Sequence, residues 1–293
     1  MRHVFVCGYS RSGTTLLATI LDSHPAISMG YELMPDRLPP LPEAVEQLKR
    51  AAEAEDGAPP DEVLRRDPAT RSLGLFALHS NWALVDNQEL IALLSSRAEQ
   101  GHIQTNSLRS RLDLAMAVVE LKREKEGAAL TGFKVQTSRF EVFNRVFPGS
   151  SFVAIVRDPR DVVASQIGRG FDRSIERTAG HWRDYYKRFR LFSMLHPRKT
   201  VTVRYEDLVR DPEPHYARIF SMLSLTYGDE VRRYWESKAS VHRTHHNNAP
   251  MVKLDLYTSK VGRWKQDLDA AQVSEIEHIC RRSMIRLGYT PGG

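Results

Sequence analysis

The stretch from His3 to Asp22, HVFVCGYSRSGTTLLATILD, constrains the fold more than any other part of the 293-residue sequence. An apolar run meets a turn with glycines at positions 8 and 13, and an apolar-periodic segment follows at once. Strand, glycine turn and helix in direct succession make the unit in which backbone N–H groups and a helix N-terminus form an anion cradle. A first strand followed by a helix needs partners that run parallel to it.

Those partners are legible. Short apolar runs bounded by turn residues recur at Ala26–Met29 (AISM), Gly132–Val135 (GFKV), Ser151–Val156 (SFVAIV) and Thr200–Val203 (TVTV), with amphipathic helical stretches between them. Continuous apolar strands alternating with helices predict an α/β, P-loop-type three-layer fold: a central parallel sheet of about five strands flanked by helices. Residues 35–130 fit this scheme as a helical insertion, opening with PDRLPPLPE and containing SLRSRLDLAMAVVELKREKEG. A polar, weakly periodic stretch over residues 241–265 reads as a long loop of the kind that closes over ligands. An amphipathic helix from Asp269 to Leu287 ends the chain, and the whole of 1–293 reads as one domain.

The composition, 41% hydrophobic and 27% charged, suits a soluble globular chain. A formal charge of +6 gives an attraction for polyanions or simply colloidal solubility. No interleaved aromatic and basic platform favours nucleic acid. Cys7 and Cys280 read as small buried hydrophobes that stay unpaired. No stretch reaches the ~18 apolar residues of a membrane span, and MRHVFVCGYS leaves no room for a leader, so the expected location is cytoplasmic. The sequence does not address oligomeric state.

The loop Gly8–Thr15, GYSRSGTT, lacks the lysine that nucleoside triphosphatases place before the hydroxyl; Thr14 stands there and the only cation is Arg11. A guanidinium forks onto the oxygens of a sulfonate or phosphate, and a sulfuryl group carries less charge than a γ-phosphoryl group, which lessens the need for a metal. The expected ligand is a 5′-phosphosulfate held by Arg11, Ser12, Gly13, Thr14 and Thr15, with no metal.

RSGTTLL and FVAIVRDPRDVVASQIGR together resemble the sulfotransferase family, whose donor is 3′-phosphoadenosine 5′-phosphosulfate (PAPS) and whose nucleotide product is PAP. RSGTTLLATILDSHPAISMGYE is most similar to the tyrosylprotein sulfotransferases and their bacterial relatives. The resemblance covers most of the sheet and the C-terminal SKVGRWK, not the insertion. It implies sulfuryl transfer by in-line displacement onto an acceptor bearing a hydroxyl, whether small molecule, lipid, glycan or peptide. Two other readings stay open on sequence alone: a P-loop nucleotide or small-molecule kinase, and a non-catalytic polyanion-binding module.

The resemblance also assigns residues. Arg157, at the end of the fourth apolar run, Ser165 and Arg169 match groups that bind the 3′-phosphate. Arg157 could equally form a surface ion pair with Asp161, and Asp158 could be a magnesium ligand or the N-cap of a helix beginning at Pro159. The cytosolic branch places its histidine base where Gln136 stands here. The tyrosylprotein branch uses a glutamate, which falls on Glu32. That carboxyl either serves as the base, with its ordinary pKa of ~4.3 raised by partial burial, or pairs with a basic neighbour such as Arg11. Lys134 matches a stabiliser of the transferring group or is an exposed strand lysine. Tyr205 touches the nucleotide or is a core tyrosine, and Ser259 and Lys260 match loop residues that return to the nucleotide. His242, His245 and His246 read as a solvated polar loop rather than a metal site.

Overall fold

The computed structural model describes residues 2–33, 38–135, 137–168, 174–236 and 260–292. Five parallel strands, β1 (Arg2–Cys7), β2 (Ile27–Gly30), β3 (Leu130–Val135), β4 (Ser151–Val156) and β5 (Thr200–Arg204), lie in the order β2-β3-β1-β4-β5. Each apolar run expected to be a strand is one, to within a residue or two. β3 starts at Leu130 rather than Gly132 because Leu130 and Thr131 pair in register with Ile27 and Ser28. Side chains on both faces of β2, β3 and β4 are buried, which is why these runs are apolar without alternation.

Helix α1 (Thr14–Ser23) follows β1. Between β2 and β3 stand α2 (Leu41–Ala52), α3 (Pro60–Arg66), α4 (Arg71–Trp82), α5 (Asn87–Glu99) and α6 (Leu108–Glu126), so the stretch read as an insertion is helical. Then come α7 (Phe140–Val146), α8 (Pro159–Ile167), α9 (Ile175–Leu195), α10 (Tyr205–Arg210), α11 (Glu213–Met222), α12 (Asp229–Arg232), α13 (Trp264–Asp267) and α14 (Ala270–Arg286). The stretch expected as loop through 265 already turns helical at Trp264. No described helix is long and apolar enough to cross a membrane.

The chain divides into two compact units that interleave in sequence. Within the described residues, one holds 2–3 and 18–135, the other 4–17, 137–236 and 260–292. In the first, α6 buries Lys122 completely, and its Nζ donates to Asp22 Oδ1 (2.8 Å) and Glu126 Oε2 (2.9 Å). Asp22 Oδ1 also accepts the Met29 amide at 2.7 Å, so one carboxylate ties the end of α1 to β2 and α6. Burial pushes its carboxyl upward in pKa.

The second unit has an aromatic core. Phe5 packs edge-on against Phe143 with ring centroids 5.1 Å apart, and Phe152 against Phe192 at 4.8 Å. On α9, Trp182, Tyr185, Tyr186, Phe189 and Phe192 form one buried stripe at helical spacing. Cys7 and Cys280 are both buried; burial pushes the Cys7 thiol far up and the Cys280 thiol up to about 12.

Candidate functional site

In the second unit the glycine turn joins β1 to α1, and its two glycines are fixed for different reasons. A Cβ on Gly8 would lie 2.8 Å from the Ile155 carbonyl oxygen of β4, so the turn must hug the neighbouring strand. Gly13 has φ +98°, where side chains are disfavoured, and a Cβ there would strike the Tyr205 ring at 2.6 Å. Arg11 takes φ +71° without being glycine, a strain of about 1–3 kcal/mol held in the turn.

The turn is held from α9. The Tyr185 hydroxyl accepts the Gly8 N–H at 2.8 Å, and the Tyr186 hydroxyl accepts the Tyr9 N–H at 3.2 Å while donating to the Ile155 carbonyl at 2.7 Å. The Ser12 hydroxyl, fully buried, lies 3.1 Å from Tyr186. The aromatic stripe of α9 thus also positions the anion loop. The available signal was tyrosine rather than phenylalanine at 185 and 186, because buried hydroxyls require partners.

Arg11 reaches α8, where its Nε donates to Ser165 Oγ at 3.0 Å. Helix α8 begins as the sequence requires: the Asp158 carboxylate accepts the Arg160 N–H at 2.9 Å, and Pro159 fills the first helical position. Both Asp158 oxygens also receive the Arg160 guanidinium, at 2.7 Å and 3.0 Å. That carboxylate is a cap and an arginine partner, the N-cap role that the sequence allowed for it. Arg160 continues to Glu277 at 2.7 Å and covers the Trp264 ring at 4.0 Å.

Arg157 leaves the carboxyl end of β4, the edge at which open α/β sheets bind ligands. Its guanidinium stacks on Tyr205 at 4.7 Å, hydrogen-bonds the Lys260 carbonyl and pairs with Asp161 at 3.3 Å. The pair with Asp161 exists, but not on the surface: the two residues are 8% and 2% exposed. Arg157 Nε is buried with no hydrogen-bond partner among the described residues, a donor whose burial is costly until an anion meets it. Asp161 also accepts the N–H of Gly262 (2.9 Å) and of Trp264 (3.0 Å), a role the sequence reading missed. Tyr205 is a buried ring beneath Gly13 and Arg157. Burial, with Arg263 and Arg157 nearby, lowers the Lys260 pKa.

In the first unit, Glu32 follows β2 and Lys134 lies near the end of β3, and their side chains form an ion pair. Lys134 is not the exposed strand lysine: its side chain is 5% exposed, against 33% for Glu32. Glu32 has φ +44°, a second strained non-glycine turn. Its carbonyl meets His79 Nδ1 of α4 at 2.9 Å, a contact between residues too distant in sequence for any motif to report.

Gln136, Arg169, Ser259 and the histidines at 242, 245 and 246 lie outside the described residues. Among the described residues, no cluster of histidine, cysteine and carboxylates is arranged to hold a metal ion.

Comparison with known proteins bears on the family and the fold. The protein-tyrosine sulfotransferase 1 of Danio rerio is 24% identical over 98% of this chain and 72% of its own length. Among solved structures, the sulfotransferase domain of the Synechococcus PCC 7002 olefin synthase superposes with a TM-score of 0.64 at 17% identity, covering 97% of this chain and 94% of that one. A mouse sulfotransferase complexed with PAP gives 0.51 at 13% identity, covering 97% and 84%. These structural likenesses establish the fold, and residues 3–229 match the sequence profile of the sulfotransferase family. The chain therefore belongs to the sulfotransferase family and is an enzyme of sulfuryl transfer.

Proposed function

We propose that this sulfotransferase takes its sulfuryl group from PAPS and delivers it to an acceptor hydroxyl, with Glu32 as the base. The observation that carries the donor assignment is the Arg157 guanidinium: buried, stacked on Tyr205, at the carboxyl end of β4, with an Nε that has no partner among the described residues. A dianionic 3′-phosphate is the ligand chemistry that this donor suits. The PAP named in the mouse structure supports the same reading.

PAPS supplies the sulfuryl group, and its 5′-phosphate oxygen is the leaving group. Ser12, Gly13, Thr14 and Thr15 line the turn at the N-terminus of α1, where the helix dipole favours anions. Arg11 neutralises the negative charge that develops on the leaving oxygen. Arg157 and Ser165 hold the 3′-phosphate. Tyr205 keeps the Arg157 fork planar against its ring, and Lys260 contributes charge from the segment that Asp161 secures. Arg169 and Ser259 are assigned to the nucleotide by resemblance. Glu32 takes the proton of the acceptor hydroxyl onto a carboxylate oxygen, and Lys134 holds that carboxylate and offers positive charge to the transferring group.

Titration with PAP in the presence of a chelator tests the donor. One saturating equivalent is expected, with much weaker binding of adenosine 5′-phosphate, which lacks the 3′-phosphate. Absence of PAP binding together with tight binding of Mg·ATP overturns the proposal. A labelled-sulfate screen over lipid, glycan, peptide and metabolite hydroxyls then identifies the acceptor.

A further inference from the structure

Among the described residues, four that are not glycine have positive φ: Arg11, Glu32, Leu84 and Ser224. Leu84 and Ser224 come two residues after the last residues of α4 and α11, positions where a left-handed residue routinely ends a helix. Glu32 has no such reason. It sits between Tyr31 and Leu33, both buried, so the neighbouring side chains are anchored while its own backbone is turned to φ +44°.

His79 supplies the restraint. Its Nδ1 lies 2.9 Å from the Glu32 carbonyl oxygen, which can only accept, so Nδ1 carries the proton. Burial depresses the imidazole pKa, which leaves the ring neutral at pH 7 and compatible with that single tautomer. Trp82, three residues along the same helix, packs on the imidazole with centroids 4.9 Å apart and limits its rotation.

We propose that His79 is a positioning residue for sulfuryl transfer: its Nδ1–H bond to the Glu32 main-chain carbonyl holds the left-handed turn from which the Glu32 carboxylate meets Lys134. The inference rests on Glu32 being the base, and it gives the helices between β2 and β3 a part in catalysis through α4. A carboxylate allowed to swing with a relaxed backbone loses the alignment on which proton transfer depends.

Three variants test it. Asparagine puts an amide N–H where Nδ1 stands, glutamine puts one where Nε2 stands, and alanine puts none. His79→Ala and His79→Gln should lower kcat roughly tenfold or more, with PAP affinity unchanged, and His79→Asn should restore it to within a few-fold. The acceptor found by the labelled-sulfate screen serves as substrate. The 13C shift of the Glu32 carbonyl, read without substrate, should move in His79→Ala and stay near wild type in His79→Asn. An unmoved carbonyl shift in His79→Ala, or His79→Asn as slow as His79→Ala, overturns the proposal. Glu32→Gln separates the two readings: wild-type turnover in that variant removes the base, while the carbonyl shift still reports the His79 contact.

Discussion

Arg11 Nε and Ser165 Oγ meet directly at 3.0 Å, joining the anion loop to the first turns of α8. The two are assigned to opposite ends of one nucleotide, so donor binding must replace their contact with phosphate oxygens on each side. Ser165→Ala should therefore weaken PAP by about tenfold, the worth of one net hydrogen bond to a charged group, and leave adenosine 5′-phosphate unchanged. Equal weakening of both nucleotides, measured by calorimetry, contradicts the assignment of Ser165 to the 3′-phosphate.

Arg157→Ala should have the larger effect. It removes a bidentate, buried partner of a dianion, worth about 1.5–3 kcal/mol, so PAP should weaken by roughly 10- to 100-fold while adenosine 5′-phosphate loses little. Arg157→Lys should not rescue it, because an ammonium cannot fork or lie flat on Tyr205 at 4.7 Å. Full rescue by lysine would show that charge alone matters at that position.

Asp161 offers a test by fluorescence. Its carboxylate accepts the Gly262 and Trp264 amides and pairs with Arg157, and Trp264 is 8% exposed beneath Arg160. Asp161→Ala removes all three contacts, so Trp264 should become more exposed and the emission should shift to the red. Trp264→Phe in the same background identifies the residue responsible, and a red shift that persists without Trp264 refutes the link.

How far the sequence reveals this arrangement depends on the range of each interaction. The five strands, the cap at Asp158 and the glycine turn are encoded within a few neighbouring residues, so periodicity and turn chemistry report them. The pairing of Glu32 with Lys134 was half legible: each residue matched a family position, but the sequence offered Arg11 as the basic neighbour of Glu32. The grip of Tyr185 and Tyr186 on the loop, the Asp161 contacts and the His79 contact to Glu32 are all long-range. They depend on how helices pack, which no local spacing encodes. Lys122 is the sharpest instance, a lysine in a charged helix that the fold buries completely.

That burial sets a stability test. Lys122 Nζ compensates Asp22 and Glu126 where water does not reach, and Asp22 is itself fully buried. Lys122→Met keeps the volume and leaves a buried carboxylate without its cation, which should cost about 3–5 kcal/mol in urea unfolding. Adding Asp22→Asn should recover part of the loss, since an amide needs no counter-charge. A double variant no more stable than Lys122→Met would place the cost in packing instead.

Acidification should weaken the fold through His79. Burial holds this imidazole below its ordinary value of about 6.5; the Glu32 carboxylate opposes that shift, and Lys134 and Arg65 add to it. Below pH 6.5 the unfolded chain takes up a proton that the folded chain refuses, so stability rises with pH across this window. The contribution is complete above the unfolded pKa and is lost as pH falls towards the folded one. Glu206, whose pKa burial raises, acts in the opposite sense: its contribution is present below about 4.3 and declines as pH rises through its folded value. The histidine part is isolated by comparing wild type with His79→Asn, which keeps the hydrogen bond but cannot titrate. The stability difference between them should shift in favour of the variant as pH drops from 7.5 to about 5.5, because only the wild type loses the histidine contribution. A difference independent of pH over that range would mean that His79 titrates alike in the folded and unfolded chains.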